Sequence, residues 1–347
     1  MIQAKTGVNL KQTGIVDPHH LKKLSALSVT TVEELMNLTQ EARSFMASFL
    51  ESHDINNLLE KAINLSSIES SDLNKLKDIQ DGFGALPPSL ELLKEEAILP
   101  SNEIGDTNTS AEADLRDEFG NIRHQGNRGT CVAHAVSALR ENAEYKSNNI
   151  KDDFSEQFLY WICKMNDRIP NRDGTFQSTA VPLLVQFGEC QESIWRYNPQ
   201  KIEDNLSHGP PPDNALPEAK KYSIREGRCY SPRSVKEIKK RLDEGFPVAV
   251  SVPVYKIGES NTFQLPIVRR TGNILMPLPG TNTDGGHAVC LVGYAQDSMF
   301  SGGGYFIVRN SWGTQNWGIE SPFGKGYGTI PYNYIENYGW EAYSLTS

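Results

Sequence analysis

Apolar residues recur at helical spacing through the first 66 positions: Leu21, Leu24 and Leu27, then Val32, Leu35 and Leu38, then Leu58, Leu59 and Ala62. Each run follows a residue suited to opening a helix: Asp17-Pro18, Thr31 with Glu34 three positions on, Thr39, and Asp54. Such residues supply acceptors to the free amides of a first turn, so a string of short helices is expected from about 15 to 66. From Ser66 to Ala113 the periodicity lapses into serines and acids, then Gly82-Phe83-Gly84-Ala85-Leu86-Pro87-Pro88, a short helical run Leu90 to Glu96, and Pro100 to Ala113. Glycine and proline favour extended or turning chain here, and Phe83, Leu86, Leu90, Leu92 and Leu93 are costly to leave in water.

Beyond Asp114 helices alternate with glycine-punctuated strands. A helix is expected from Cys131 to about Tyr145, and another begins at Phe154-Ser155-Glu156-Gln157. Ser234 and Glu237 open a third that Gly245 closes, ahead of a strand Val248 to Val252. His287 to Tyr294 and Tyr305 to Asn310 read as antiparallel strands joined by Ala295 to Gly304. A helix-rich half followed by a strand-rich half is the α+β pattern. The expected organisation is a helical module at 1–66, a linker at 67–113, and an α+β domain at 114–347.

Composition narrows the function. A chain of 347 residues with 38% hydrophobic and 22% charged residues is that of a soluble globular protein. A net charge of -9 argues against a nucleic-acid partner, which calls for a basic stripe. With no apolar run of membrane-spanning length and no signal-like start at Met1 to Gly7, the expected location is cytoplasmic, with export by a route lacking a signal peptide as the alternative. Five scattered cysteines without a Cys-x-x-Cys pair exclude a cysteine-rich zinc site and give little support to a disulfide scaffold, although a bridge among Cys163, Cys190, Cys229 and Cys290 stays open. No metal and no organic cofactor are expected.

The helical module, with Leu21, Leu24, Leu27, the turn Ser28-Val29-Thr30 and Val32 to Leu35, resembles a helix-hairpin-helix or SAM-like unit. Its turn lacks the glycine that presents amides to phosphate, and its lysines are balanced by acids. Protein contact is the better expectation than nucleic acid.

Cys131 carries the chemistry. Gly129-Thr130 places it at the start of a helix, where free amides and the helix dipole favour a thiolate, with Thr130 as N-cap. By itself a cysteine ahead of an apolar helix is an ordinary core residue. His287, after Asp284-Gly285-Gly286, heads an apolar strand and can face a cleft from its end, which makes it a better base than His134 inside the Cys131 helix. Asn310 ends the neighbouring strand and can fix the imidazole through its carbonyl, with Trp312 shielding that bond from water. Gln125, in the glycine-rich loop before Cys131, can join the Cys131 amide in holding an oxyanion.

Five separated stretches carry a resemblance: Asp114-Leu115-Arg116, Gln125-Gly126-x-x-Gly129-x-Cys131, Phe154-Ser155-Glu156-Gln157, His287-Ala288-Val289 with Val292-Gly293-Tyr294, and Asn310-Ser311-Trp312-Gly313 with Trp317-Gly318. In this order they resemble the papain family of cysteine peptidases. The resemblance implies a two-lobed fold of a helical and a barrel-like lobe. It makes Cys131 the nucleophile, His287 the base and later acid, Asn310 the orienter and Gln125 the oxyanion donor, and it puts Gly174, Ala288 and Trp312 on the substrate-binding wall. Arg128 stands where secreted members commonly have a disulfide cysteine and Val132 where they have an aromatic residue, so the chain resembles a prokaryotic-type branch. The spacing of Cys131 to His287 and Asn310 exceeds the family's usual roughly 130 to 150 residues, which places insertions near Thr271 to Asp284 and Ser298 to Gly304.

The implied activity is peptide-bond hydrolysis through a Cys131 acyl-enzyme, with an endopeptidase favoured. The resemblance also implies a zymogen in which residues 1–112 inhibit and Gly82 to Pro88 cross the cleft. The alternatives are an accessory protein-binding module at the N-terminus, an acyltransferase or transglutaminase, and an inactive binding protein.

Overall fold

The computed structural model describes residues 2–52, 54–96, 98, 110–224 and 227–346. Five helices form the N-terminal module: α1 (Leu10–Thr13), α2 (Pro18–Ala26), α3 (Val32–Glu41), α4 (Arg43–Phe49) and α5 (Ile55–Leu65). Asp17 accepts from the amides of His19 and His20, Asp54 from that of Asn57, and Thr31 and Glu34 form the reciprocal capping box. Thr39 opens nothing. It lies buried inside α3, because the continuous packed run Val32 to Thr39 carries the helix past it, and α4 starts at Arg43 without a side-chain cap.

Leu24, Leu35, Leu38 and Met46 fill the module's interior. Two buried carboxylates knit it together. Glu34 pairs with Lys5 at 2.7 Å, and Glu33 accepts from the amides of Val8 and Ser67 and from the Ser67 hydroxyl.

The linker is more structured than its composition suggests. It holds α6 (Ser70–Asn74), an extended stretch through Leu86, and α7 (Leu90–Glu96). Strand β1 (Glu112–Asp114) already pairs antiparallel with the catalytic sheet, so that sheet begins before the expected boundary at Asp114. Most of the expected turn from Pro100 to Ala113 lies outside the described residues.

The catalytic region opens with helices α8 (Cys131–Asn148), α9 (Glu156–Asn166), α10 (Gln177–Phe187) and α11 (Ala215–Ala219). It continues through β2 (Cys229–Tyr230), α12 (Val235–Asp243), β3 (Val248–Ile257), β4 (Ser260–Asn261), α13 (Pro266–Thr271), β5 (Thr283–Gln296), β6 (Gly304–Arg309), β7 (Tyr327–Pro331), α14 (Tyr332–Tyr338) and β8 (Glu341–Leu345). The sheet runs β2-β8-β3-β5-β6-β7, antiparallel at every step, with β1 on β5 and β4 on β3. This is the expected α+β architecture. Helix α8 packs on β5 and β3, so its N-terminus meets the sheet where the two lobes face one another.

The two expected insertions form the seat of the helical module. The Met276 amide donates to Leu27 O at 3.2 Å, and the Ser301 amide to Ser28 Oγ at 2.9 Å. The Lys5 ammonium lies 4.8 Å from the Phe300 ring centroid, and the Ile267 amide donates to Asn37 Oδ1. No helix among the described residues is long and apolar enough to cross a membrane.

Candidate active site

The loop before α8 is fixed from several directions. Gln125 donates its amide to Ser311 O at 2.8 Å, and its Oε1 accepts from Ser311 Oγ at 2.6 Å. That leaves Nε2 donating to Arg128 O at 2.7 Å and to Gly82 O at 3.0 Å. Arg128, buried where a disulfide cysteine was expected in secreted relatives, donates to Gln157 Oε1 and Asn198 O and lies over the Tyr160 and Tyr197 rings. A guanidinium with several acceptors does here the fastening that a covalent bridge would do. Cys131, Cys163, Cys190 and Cys290 are free, buried thiols.

Thr130 does not cap α8. Its hydroxyl is turned to Tyr197 Oη at 2.6 Å, a half-buried partner that takes the place of the helix amides. The Cys131 thiol is fully buried, with the amides of Ala288, Gly84, Ala85 and Val132 around it. Burial outweighs these donors and pushes the thiol up to about 11. The low-pKa thiolate expected from the helix position is therefore absent while the site is covered.

His287 is not at a strand end. β5 begins at Thr283, because Gly285 and Gly286 stay in register with Val254 and Pro253 of β3, and His287 pairs with Val252 inside the strand. Its Nε2 meets Asn310 Oδ1 at 2.8 Å, and the Ser311 amide donates to the same oxygen at 2.8 Å. The amide oxygen already accepts one N–H, so Nε2 carries the proton and Nδ1 is left as the basic nitrogen. Nδ1 is buried without a hydrogen-bond partner among the described residues. Trp312 stacks on the ring at 4.5 Å and 30°, while Phe263 and Phe83 close on its edges at 5.4 and 5.8 Å. Burial lowers His287 to about 4, so it is neutral. His134 is held by Thr130 O at 3.0 Å and lies 3.8 Å from Glu156, and burial lowers it to about 3, a structural role as expected.

The chain from Asp81 to Leu86 runs between the lobes over these groups. Gly82 O accepts from Gln125 Nε2 and from Trp312 Nε1 at 3.3 Å, and the Gly82 amide donates to Gly126 O. The amides of Gly84 and Ala85 both reach Gly286 O at 3.1 Å. Thr175 donates to Gly84 O and accepts from Leu86, a parallel bridge. A Cβ on Gly82 or Gly84 would strike the backbone of Arg128 or Gly129, so only glycine passes at this depth.

The expected substrate wall is therefore redistributed. Gly174, at φ +93°, makes room for the Gly84 backbone, but Thr175 makes the hydrogen bonds. Ala288 contributes its amide at the thiol instead of a lining side chain. Trp312 touches both His287 and Gly82 O.

Three participants went unnoticed in the sequence. Asp81 meets Arg269 Nη1 at 2.6 Å and Asn316 Nδ2 at 3.2 Å, and Arg269 Nη2 donates to Ile79 O at 2.7 Å. Both Asp81 and Arg269 side chains are buried, and the guanidinium lies 5.6 Å from the Trp312 ring centroid. The available signal was Arg269 in Leu-Pro-Ile-Val-Arg, a charge following an apolar run. A metal-type grouping among the described residues, His19, His20 and Glu51, sits on the helical module outside this cleft.

The model of the papain family cysteine protease domain matches residues 109–344. The chain belongs to the papain family of cysteine proteases. An uncharacterized peptidase C1-like protein of Acanthamoeba polyphaga mimivirus is 31% identical over 221 residues, covering 61% of this chain and 64% of that one. The match thus spans a little under two thirds of the viral relative's length. Peptidase 1 of the mite Euroglyphus maynei is 28% identical over 278 residues, 77% of each chain. Among solved structures, xylellain, a cysteine protease from Xylella fastidiosa, superposes with a TM-score of 0.60 at 22% identity over 77% of this chain and 96% of its own. Digestive procathepsin L 3 of Tenebrio molitor larval midgut superposes with a TM-score of 0.53 at 16% identity over 95% and 100%. These structural likenesses are likenesses of fold. Relatives from a virus and a mite, with a likeness of fold to a bacterial protein, do not assign the chain to a bacterial branch.

Proposed function

We propose that the chain is a cysteine endopeptidase made as a zymogen, with Asp81 to Leu86 as the inhibitory cover. His287 Nδ1 takes the Cys131 proton, and the thiolate attacks a peptide carbonyl. Gln125 Nε2 and the Cys131 amide hold the oxyanion, His287 protonates the leaving amine, and water deacylates the enzyme. Asn310 keeps the imidazole in the required tautomer.

The observation that carries the zymogen reading is the direction of the covering chain. The leaving amine must receive its proton from His287, so the wall of Trp312 and His287 is the leaving-group side. Phe83 packs edge-on to both rings, whereas Ala85 and Leu86 lie on Thr175 across the cleft. The cover thus runs from the leaving-group side to the acyl side, opposite to a substrate, whose N-terminal half becomes the acyl group. Reversed polarity supports occupation without cleavage. A neutral Cys131 and His287 in the covered cleft support the same reading.

The helical module is, in this reading, an intramolecular protein-contact unit, as its seat on the inserted loops supports. The free thiols and Arg128 fit a disulfide-free, prokaryotic-type branch working in a reducing, cytoplasmic setting. The test uses the full chain and a quenched protein substrate. Gly84→Leu, which the cleft has no room for, should raise turnover, and Cys131→Ala added to it should abolish turnover. Equal activity with and without Gly84→Leu removes the inhibitory role, and activity surviving Cys131→Ala ends the peptidase reading.

A further inference from the structure

The covering chain places a carboxylate in a prepared site beside the reaction centre. Asp81 immediately precedes Gly82, whose carbonyl occupies the Gln125 donor. Its Oδ2 meets Arg269 and its Oδ1 meets Asn316 Nδ2, while Gln264 Nε2 donates to its main-chain oxygen. Arg269 is held in place by donating to Asn316 O at 3.1 Å and by stacking toward Trp312, and neither restraint depends on the cover. Trp312 in turn stacks on His287. When residues 79–82 leave, the guanidinium loses both Asp81 and Ile79 O, and the Asn316 amide loses its carboxylate partner. The guanidinium and the Asn316 amide then face the opened cleft as neighbouring donors, a planar fork beside an amide that matches the two oxygens of a carboxylate. The vacated position is filled best by another carboxylate.

We propose that Arg269 and Asn316 form a carboxylate-binding subsite on the leaving-group side, and that the opened enzyme selects substrates bearing an acidic group within a residue or two of the scissile bond on that side. This rests on the peptidase reading above and adds a specificity to it. Asp81 is then a built-in mimic of the substrate's acid, carried on a chain of reversed polarity. The same chemistry is offered by an Asp or Glu side chain and by a free chain terminus, and the structure favours the side chain because that is what occupies the site.

The test uses the full-length Gly84→Leu chain and amidated peptides that differ only in Asp against Asn at the leaving-group positions, with a third peptide ending there in a free carboxylate. Turnover gives kcat/KM, and slowing of Cys131 alkylation by each peptide gives binding without turnover. The Asp peptide should exceed its Asn twin by about 10- to 100-fold in kcat/KM, the span of a charge-assisted hydrogen bond. Arg269→Gln should bring that ratio close to one, and Asn316→Ala should reduce it. Equal cleavage of the Asp and Asn peptides overturns the subsite and leaves the peptidase reading standing. Stronger protection by the Asp peptide with no cleavage of any peptide overturns the peptidase reading and keeps the subsite. Preference for the free terminus alone overturns the side-chain assignment. The Asp/Asn ratio on the Arg269-containing chain decides the matter even where Arg269→Gln fails to fold.

Discussion

The residues ahead of the catalytic sheet grip it in two different ways. The helical module seats on inserted loops through packed side chains such as Leu35 and Met46 within and Phe300 below, with buried Lys5–Glu34 as a cross-brace. The stretch from Gly82 to Leu86 grips almost entirely by backbone amides and carbonyls, and two of its glycines graze opposing main chain. Side-chain packing of the first kind is specific to one partner, whereas backbone pairing of the second kind is what any extended peptide can offer. Under the zymogen proposal, a cover built this way competes directly with substrate. Phe83 within it and Asp81 just ahead of it give it an identity of its own.

The comparison can be broken at several points. The largest effect is expected for Asp81→Ala, which leaves the buried Arg269 cation without its anion at about 3 to 5 kcal/mol, read as a large rise in the Cys131 alkylation rate. Leu35→Ala in the module should cost about 2 to 4 kcal/mol in thermal or denaturant melts. It should raise Cys131 alkylation less than Asp81→Ala does, and the reverse order would erase the distinction between anchor and cover.

Acidity should act on cover and body unequally. His287, lowered by burial to about 4 from an ordinary 6.5, favours its buried setting, of which the cover's Phe83 is one part, fully above about pH 6.5, and this contribution is lost as pH falls toward 4. In the body, buried Glu141 and Glu156, raised to about 7 and about 8 from 4.5, contribute stability that is full below pH 4.5 and lost as pH rises through 7 to 8, and this offsets the loss that His134, lowered to about 3, brings as pH falls below 6.5. Amide exchange at Gly84 to Leu86, corrected for its intrinsic pH dependence, should therefore quicken between pH 6.5 and 4 while the body's melting temperature does not follow it down. The smallest effect, about 1 kcal/mol, is expected for Ser67→Ala, which removes one hydroxyl donor from Glu33 and should leave Cys131 alkylation alone.

How much of this could be read from the chain depended on whether the information was local. Cys131, Gln125, His287 and Asn310 were legible because each sits in a short run whose neighbours are themselves constrained, glycines before the thiol and an Asn-Ser-Trp-Gly turn after the strand. The helix starts at Asp17, Thr31 and Asp54 were legible because capping is settled within four residues. Thr130 misled because its hydroxyl had a better partner in Tyr197, far along the chain. His287 was placed at a strand edge because glycines usually end strands, whereas here β3 supplies a partner that keeps them in register. Asp81 and Arg269 are brought together only by the fold, and neither run of sequence announces the other.

The strand Glu112–Asp114 has a consequence for how such a cover is removed. It fastens the chain to β5 at Gly293 to Ala295, so the cover is a loop tied at both ends, at the seated module and at the sheet. Cutting the chain anywhere between Leu86 and Glu112 frees one end only. The other end stays attached to a docked module, which holds the cover at an effective concentration that about millimolar tethering would give. If the cover is inhibitory, as proposed, scission and activation are separate events, and dilution, or anything that unseats the module, sets the delay between them.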